Sequence, residues 1–227
     1  VKLGELARRV GTTTASVKFY IRAGLLPAGR KVNQTTAAYD EGHVRRLELI
    51  LGIRGIIGTP LARIGDLIAV IDDPGAGILS VMETAQTIAA EGPGAGTADR
   101  GDAVGLPPHA DARADAAREG ASAEVARLVS EQEWPDSGSL ARTAVEQRLR
   151  RMRGLGVELG RDSLSRIAEA VGSIGVLDLD VEEGSRDEVA LGVAVGTYEV
   201  SQLVVDMLRL AQTSQSIRSV EGDAREQ

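Results

Sequence analysis

"TTASVKFYIRAGLLP", residues 13–27, sets Lys18 and Arg22 four positions apart, with Phe19 and Tyr20 between them and Gly24 as a stop. Four residues make about one helical turn, so the two cations share a face, and such a face suits phosphate. Upstream, Leu3, Leu6, Ala7 and Val10 recur at helical spacing before Gly11, which predicts a short amphipathic helix over 2–10. Thr12, Thr13 and Thr14 are N-cap candidates for a second helix reaching Ala23. Two helices joined by a three-residue turn have helix–turn–helix spacing: the first braces the second, and the second presents its early residues to a major groove. Short helices of this type must bury one large side chain, and the expectation is that Phe19 does so, while Tyr20 and Tyr39 fit a core or a surface role equally.

Downstream, "LLPAGRKVNQTTAAYD" places Pro27, Gly29 and a polar run between Leu25–Leu26 and Tyr39, as in a two-stranded wing with Arg30 and Lys31 at its start. Asp40 then reads as the N-cap of a third helix carrying His43, Val44, Leu47, Ile50 and Leu51. A fourth follows Thr59-Pro60, with Leu61, Ile64, Leu67, Ile68 and Ile71 as its apolar stripe. Charge sets this module apart. Residues 1–70 hold eleven Lys or Arg against five Asp or Glu, a balance of +6, and the rest of the chain balances at -13. A net charge of -7 therefore hides a basic module, the footprint expected of a nucleic-acid partner.

The order LGELARRV, TTTASVKFYIRAGLLP, a wing ending in Tyr39, and the helix pair DEGHVRRLELI and GTPLARI resembles the MerR family of bacterial transcription regulators along about 70 continuous residues. The resemblance implies a winged helix–turn–helix that binds duplex DNA as a homodimer on a near-palindromic promoter site, twisting it so that RNA polymerase engages. Carried over by position, it implies that Thr13, Thr14, Ser16, Lys18, Tyr20 and Arg22 lie on the recognition helix, Arg30, Lys31, Asn33 and Gln34 on the wing, and Arg54 on the second helix pair. Lys18 stands where the family usually has Arg, and Phe19 where it has Tyr. Lysine is a point charge without the bidentate fork, which favours phosphate over guanine at position 18.

Asp73-Pro74 predicts the start of a helix running to about Glu91, in which Ile78, Met82, Ala85 and Ala89 follow the 4-3-4 rhythm of a coiled-coil seam. Family resemblance implies that this seam is the dimer contact. Residues 92–108, "GPGAGTADRGDAVGLPP", read as a linker. The expected division is thus a DNA-binding domain at 1–72, a dimerisation helix at 73–91, the linker, and a helical effector domain at 109–227.

In that last part, helices are predicted over 110–132, 139–153, 162–172 and 186–214, the last opened by a Ser185–Glu188 capping box. Leu140, Ala144, Val145, Leu149 and Met152 are expected to face inward, Arg148, Arg150, Arg151 and Arg153 to face water or a partner, and Gly192 with Gly196 to leave a flat patch for a neighbouring helix. The fold class expected is mainly α. Trp134 and Tyr198 are the only large aromatics of this half, so a pocket for an apolar small-molecule effector is expected near one of them. A rival reading makes the bundle an enzyme or ligand carrier with an appended DNA-binding module.

The absence of Cys, with only His43 and His109, leaves no ordinary zinc site, and neither a catalytic Ser/His/Asp set nor a phosphate-binding glycine loop is present; no cofactor is expected. No run of about 18 uncharged apolar residues exists, and the first 20 residues carry Lys2, Glu5, Arg8 and Arg9, so the expectation is a cytoplasmic chain with no membrane partner.

Overall fold

The computed structural model describes residues 1–33, 36–93, 111–135, 138–175 and 184–223, and among them the architecture is mainly α. Two compact units are formed, one from Val1–Thr97 with Val181–Gln227 and one from Ala98–Asp180. The second unit is thus interposed, in sequence, within the first. This division departs from a single domain over 109–227, because the last helix packs on the first unit's core.

In the first unit, α1 (Leu3–Arg9) and α2 (Thr14–Arg22) form the helix–turn–helix. Thr13 caps α2, its Oγ1 accepting a hydrogen bond from the Ser16 backbone N–H at 3.0 Å. Gly24, at φ +74°, closes it in the left-handed region, and the N–H groups of Leu25 and Leu26 both return to the Tyr20 carbonyl at 3.0 and 3.3 Å. That reversal turns Leu25 and Leu26 into the core. The wing is an antiparallel pair, β1 (Arg30–Lys31) and β2 (Ala37–Ala38), with Arg30 opposite Ala38 and Lys31 opposite Ala37.

Helix α3 (Glu41–Gly52) is capped reciprocally: the His43 N–H donates to Asp40 Oδ1 at 3.3 Å, and the Asp40 N–H donates to His43 Nδ1 at 3.2 Å. His43 is held there with its ring edge against Tyr39, centroids 5.1 Å apart. A π-helical turn, Ile53–Ile57, follows and buries its two end isoleucines while Arg54 stays exposed. Helix α4 (Leu61–Asp72) buries Ile64, Leu67, Ile68 and Ile71, the stripe its sequence spells. Arg63 reaches from α4 to Glu91 with two hydrogen bonds of 2.7 and 3.0 Å, tying α4 to α5 (Ile78–Glu91).

Helix α5 starts four residues later than Asp73-Pro74 suggests. The Asp73 carboxylate accepts from the Gly75 N–H at 2.8 Å, and its carbonyl accepts from the Ala76 N–H at 3.2 Å, so Asp73 caps a turn instead of a helix. The seam expected to face a second chain is corrected by the packing. Ala85 and Ala89 are buried in the protomer's own core, Met82 packs against that core, and Ile78 remains 45% exposed. The occupant of that face is α9 (Arg186–Asp223), which packs most extensively on α5 and also on α3.

The expected Ser185–Glu188 capping box opens α9: Glu188 accepts from the Ser185 hydroxyl at 2.6 Å and from the Ser185 N–H at 2.7 Å, and these bonds hold the Glu188 carboxyl below its ordinary value. Val189, Ala190, Val193 and Ala194 are buried among the core side chains of the helix–turn–helix unit. The two valines contribute about 1.5–3 kcal/mol each by leaving water. Gly52 makes the approach feasible, since a Cβ there would stand 2.7 Å from Leu191 Cδ1. Gly192 does not serve as a flat docking patch: it is exposed, and a Cβ would meet nothing within 4 Å.

A buried arginine fastens the same joint. Arg46 on α3 is 6% exposed and donates to Asp72 at the end of α4, at 2.5 and 3.0 Å, and to Asp187 at the start of α9. Burial opposes its charge, and the two carboxylates more than offset that, so the guanidinium is held above its ordinary value. Arg186 adds hydrogen bonds to the carbonyls of Asp73 and Ala76 at 2.8 and 2.5 Å.

In the second unit, α6 (Asp111–Glu131), α7 (Leu140–Gly154) and α8 (Arg161–Gly175) enclose a small core of Ala121, Val125, Leu128, Leu149, Leu164 and Ala168. Of the α7 positions expected inside, only Leu149 is buried; Leu140 is 53% and Val145 46% exposed. Polar bonds complete the packing. Arg153, expected to face water or a partner, donates to Glu124 of α6 at 2.9 Å, and Ser165 bridges Arg127 and Glu131 at 3.0 Å each.

The core also reverses the assignment of the adjacent aromatics in α2. Tyr20 is 4% exposed and lies in the core, whereas Phe19 is 42% exposed with its ring edge-on to Tyr20. Expected from this arrangement is that Tyr20→Ala in the full chain costs about 3–5 kcal/mol, as for other large core truncations, while Phe19→Ala leaves the thermal midpoint nearly unchanged. Arg46→Ala is expected to cost about 3 kcal/mol in denaturant titrations, the low end for breaking a buried pair because Asp72 is half exposed.

Candidate nucleic-acid interface

Helix α2 exposes a single arc. Thr14, Ala15, Lys18, Phe19 and Arg22 are exposed, and Val17 and Tyr20 point into the core. At 100° per residue Lys18 and Arg22 occupy the middle of the arc, one turn apart, with Phe19 on its flank. Thr13 and Ser16, expected at the interface, sit at its edge with their hydroxyls 2.9 Å apart, engaged in the cap. Tyr20, expected among the groove contacts, is withdrawn from them by burial. The period-3.6 pattern contained that signal: Val17, Tyr20 and Ile21 form an apolar i, i+3, i+4 set, and Phe19 falls outside it.

On the wing, Arg30 and Lys31 are exposed along β1. Asn33 shapes the turn, its Oδ1 accepting from the Thr36 N–H at 2.8 Å. Gln34 lies outside the described residues. Arg54 is exposed on the π-helical turn after α3.

Several cations of this unit are tied to carboxylates. Arg9 pairs with Glu41, Arg45 with Glu188, Arg46 with Asp72 and Asp187, and Arg63 with Asp66 and Glu91. Those pairs join elements to each other, and Glu41 holds Arg9 above its ordinary value through hydrogen bonds. Among the described residues no carboxylate lies within ion-pair distance of Lys18, Arg22, Arg30, Lys31 or Arg54. The recognition arc and the wing thus carry cations without a neutralising carboxylate among the described residues.

The aromatics expected at an effector pocket belong to different units. Trp134 lies beside α8, its Cζ2 3.3 Å from where a Cβ on Gly172 would be, and is 37% exposed. Tyr198 is on α9 and packs against the helix–turn–helix core. A shallow depression in the second unit is lined by Gly120, Ala123, Glu124, Arg127 and Arg161, with neither aromatic among them.

Comparison with known proteins agrees with the geometry of the first unit. Residues 1–70 match the model of the MerR HTH family regulatory protein. Among curated proteins, the chain is 30% identical over 56 residues to the HTH-type transcriptional regulator ZntR homolog of Haemophilus influenzae, covering 25% of this chain and 42% of that protein. It is 28% identical over 61 residues to the HTH-type transcriptional regulator YfmP of Bacillus subtilis, covering 27% and 44%. The aligned part of this chain therefore spans under half the length of either relative. A crystal structure of SCO5550 from Streptomyces coelicolor A3(2) superimposes over 96% of this chain and 97% of that one, with a TM-score of 0.66 at 24% identity, so the likeness extends to the whole fold. With the cap, turn, wing and helix pair all in order, residues 1–70 are a MerR-family helix–turn–helix domain.

Proposed function

We propose that this chain is a DNA-binding transcription regulator that acts in the cytoplasm as a homodimer on a near-palindromic promoter site. The observation that carries this reading is the placement of charge: Lys18, Arg22, Arg30, Lys31 and Arg54 stand exposed with no carboxylate of the described residues in ion-pair distance, while Arg9, Arg45, Arg46 and Arg63 are paired. Lys18 and Arg22 grip phosphates along the major groove, the wing cations grip the flanking backbone, and Phe19 offers an apolar edge to a thymine methyl. Bending or twisting the spacer of such a promoter so that RNA polymerase engages is the corresponding mode of action.

Modulation through the C-terminal part has a physical route. The helix that follows the second unit in the chain, α9, is bonded directly to α3 through Arg46 and Asp187 and to the α4–α5 corner through Arg186. A change that pulls on the start of α9 therefore acts on the helix–turn–helix core. In the second unit Leu140, Val145, Ile167 and Val171 remain exposed, apolar surface suited to an apolar small molecule or a protein contact. The reading assigns the chain no catalytic step and no cofactor.

Binding should weaken steeply with salt, because each phosphate contact releases condensed counterions. In gel-shift titrations of the full chain on a selected duplex at several salt concentrations, Lys18→Ala and Arg22→Ala should each lower affinity and reduce the logarithmic salt slope by about 1, with thermal midpoints unchanged. An affinity indifferent to salt, or variants that bind as the parent does, would overturn the assignment.

A further inference from the structure

Between α3 and α4 the sequence GIRGIIG, residues 52–58, puts a glycine at every third position. Such a segment has little stiffness of its own, so packing sets its shape. The shape it takes is the π-helical turn Ile53–Ile57, in which buried Ile53 and Ile57 flank three exposed residues in succession, Arg54, Gly55 and Ile56. A π turn holds one more residue than an α-helical turn, so a change between the two rotates the side chains it carries. No polar bond pins the segment at its far side: Thr59 is buried, and its hydroxyl has no partner among the described residues.

Two contacts grip the turn from outside. At its start α9 packs on it, with Leu191 so close that a Cβ on Gly52 would stand 2.7 Å from Leu191 Cδ1. At its end Gly58, at φ +77°, meets Pro93, whose Cβ would be 3.1 Å from a Cβ on Gly58. Pro93 follows α5, where the chain leaves for the interposed unit, and Leu191 lies in the second turn of α9, after the chain has returned. Both passages of the chain to and from the second unit therefore press on the turn that carries Arg54.

We propose that Leu191 and Pro93 are positioning residues for Arg54: they hold the turn in the form that presents its guanidinium to a phosphate, and the second unit regulates DNA affinity by loosening that grip. The proposal rests on Arg54 as a phosphate contact in the proposed function and names the element through which regulation reaches it. A segment with two available forms, biased from a distance, is what coupling between sites requires. Arg54 has no ion pair with a carboxylate of the described residues to fix its direction, so the backbone of the turn sets it. The start of α9 is anchored separately, by Asp187 on Arg46 and by Val189 and Val193 in the core, so truncating Leu191 leaves the helix docked.

The test is a set of salt titrations with the full chain on the duplex that the parent selects from a random pool. Arg54→Ala should lower affinity and reduce the logarithmic salt slope by about 1. Leu191→Ala should do the same although leucine carries no charge, Leu191→Met should keep the parent slope, and Leu191→Ala/Arg54→Ala should bind no worse than Arg54→Ala. Should Leu191→Ala fail to fold, Gly52→Ala is the second arm: its methyl displaces Leu191 without emptying the core, and alanine favours the helix, so the slope should fall while the thermal midpoint holds. A merely structural role for Leu191 would lower the midpoint and leave the slope alone. Variants at 191 and 52 that keep the parent slope, or losses that multiply in the double variant, overturn the coupling. An Arg54→Ala variant that binds as the parent does also overturns it, and leaves Lys18 and Arg22 as the phosphate contacts of the proposed function. A parent whose binding ignores salt overturns both.

Discussion

Arg46 holds the first unit together at a point where three helices that are distant in sequence converge. Its guanidinium spans Asp72 and Asp187 from within α3, and so closes the end of α4 and the start of α9 on a single buried charge. A lone arginine at 6% exposure is untenable in an apolar setting; two carboxylates make it tenable and in return fix the register of α9. Once α9 starts there, Val189 and Val193 fall onto the core, and Leu191 reaches Gly52. The helix–turn–helix unit is thereby completed by residues more than a hundred positions downstream.

The same economy of charge sorts the surface. Carboxylates are spent where elements must be joined, at Glu41, Asp72, Glu91, Asp187 and Glu188, and are withheld from the arc of α2 and from the wing. The uncompensated positive charge of these surfaces is produced as much by this omission as by the placement of lysine and arginine. In the second unit Arg127, Arg142 and Arg153 are each paired, around a core that among the described residues holds Ala121, Val125, Leu128, Leu149, Leu164 and Ala168.

Most of the helix–turn–helix could be read from local chemistry. Thr13, Asp40 and Ser185 cap the helices that follow them, Gly24 ends α2, and the α4 stripe is buried, because each of these depends on residues within one or two turns. Long-range packing was less legible. Phe19 and Tyr20 are neighbours of similar size, so size does not decide which ring is buried; the i, i+3, i+4 set of Val17, Tyr20 and Ile21 does. The α5 seam has genuine coiled-coil spacing, but periodicity names a face without naming what covers it, and α9 of the same chain does so. Asp73-Pro74 resembles a helix start, yet the Asp73 carboxylate closes a local turn at Gly75. The Arg46 network was invisible because two of its three members are separated by 141 residues.

The placement of α9 imposes an order of events on synthesis. The first unit needs Val189, Val193 and Leu191 to seal its core, but a ribosome has to traverse the whole second unit after Glu91 before those residues exist. At roughly 5–20 residues per second that delay lasts on the order of 5–20 s. Through that interval the nascent helix–turn–helix presents uncovered isoleucine and leucine side chains, whereas the interposed unit, whose core is contiguous in the chain, has all its own segments available first. The helix–turn–helix unit is the last to be finished, so a chain arrested early keeps apolar surface uncovered.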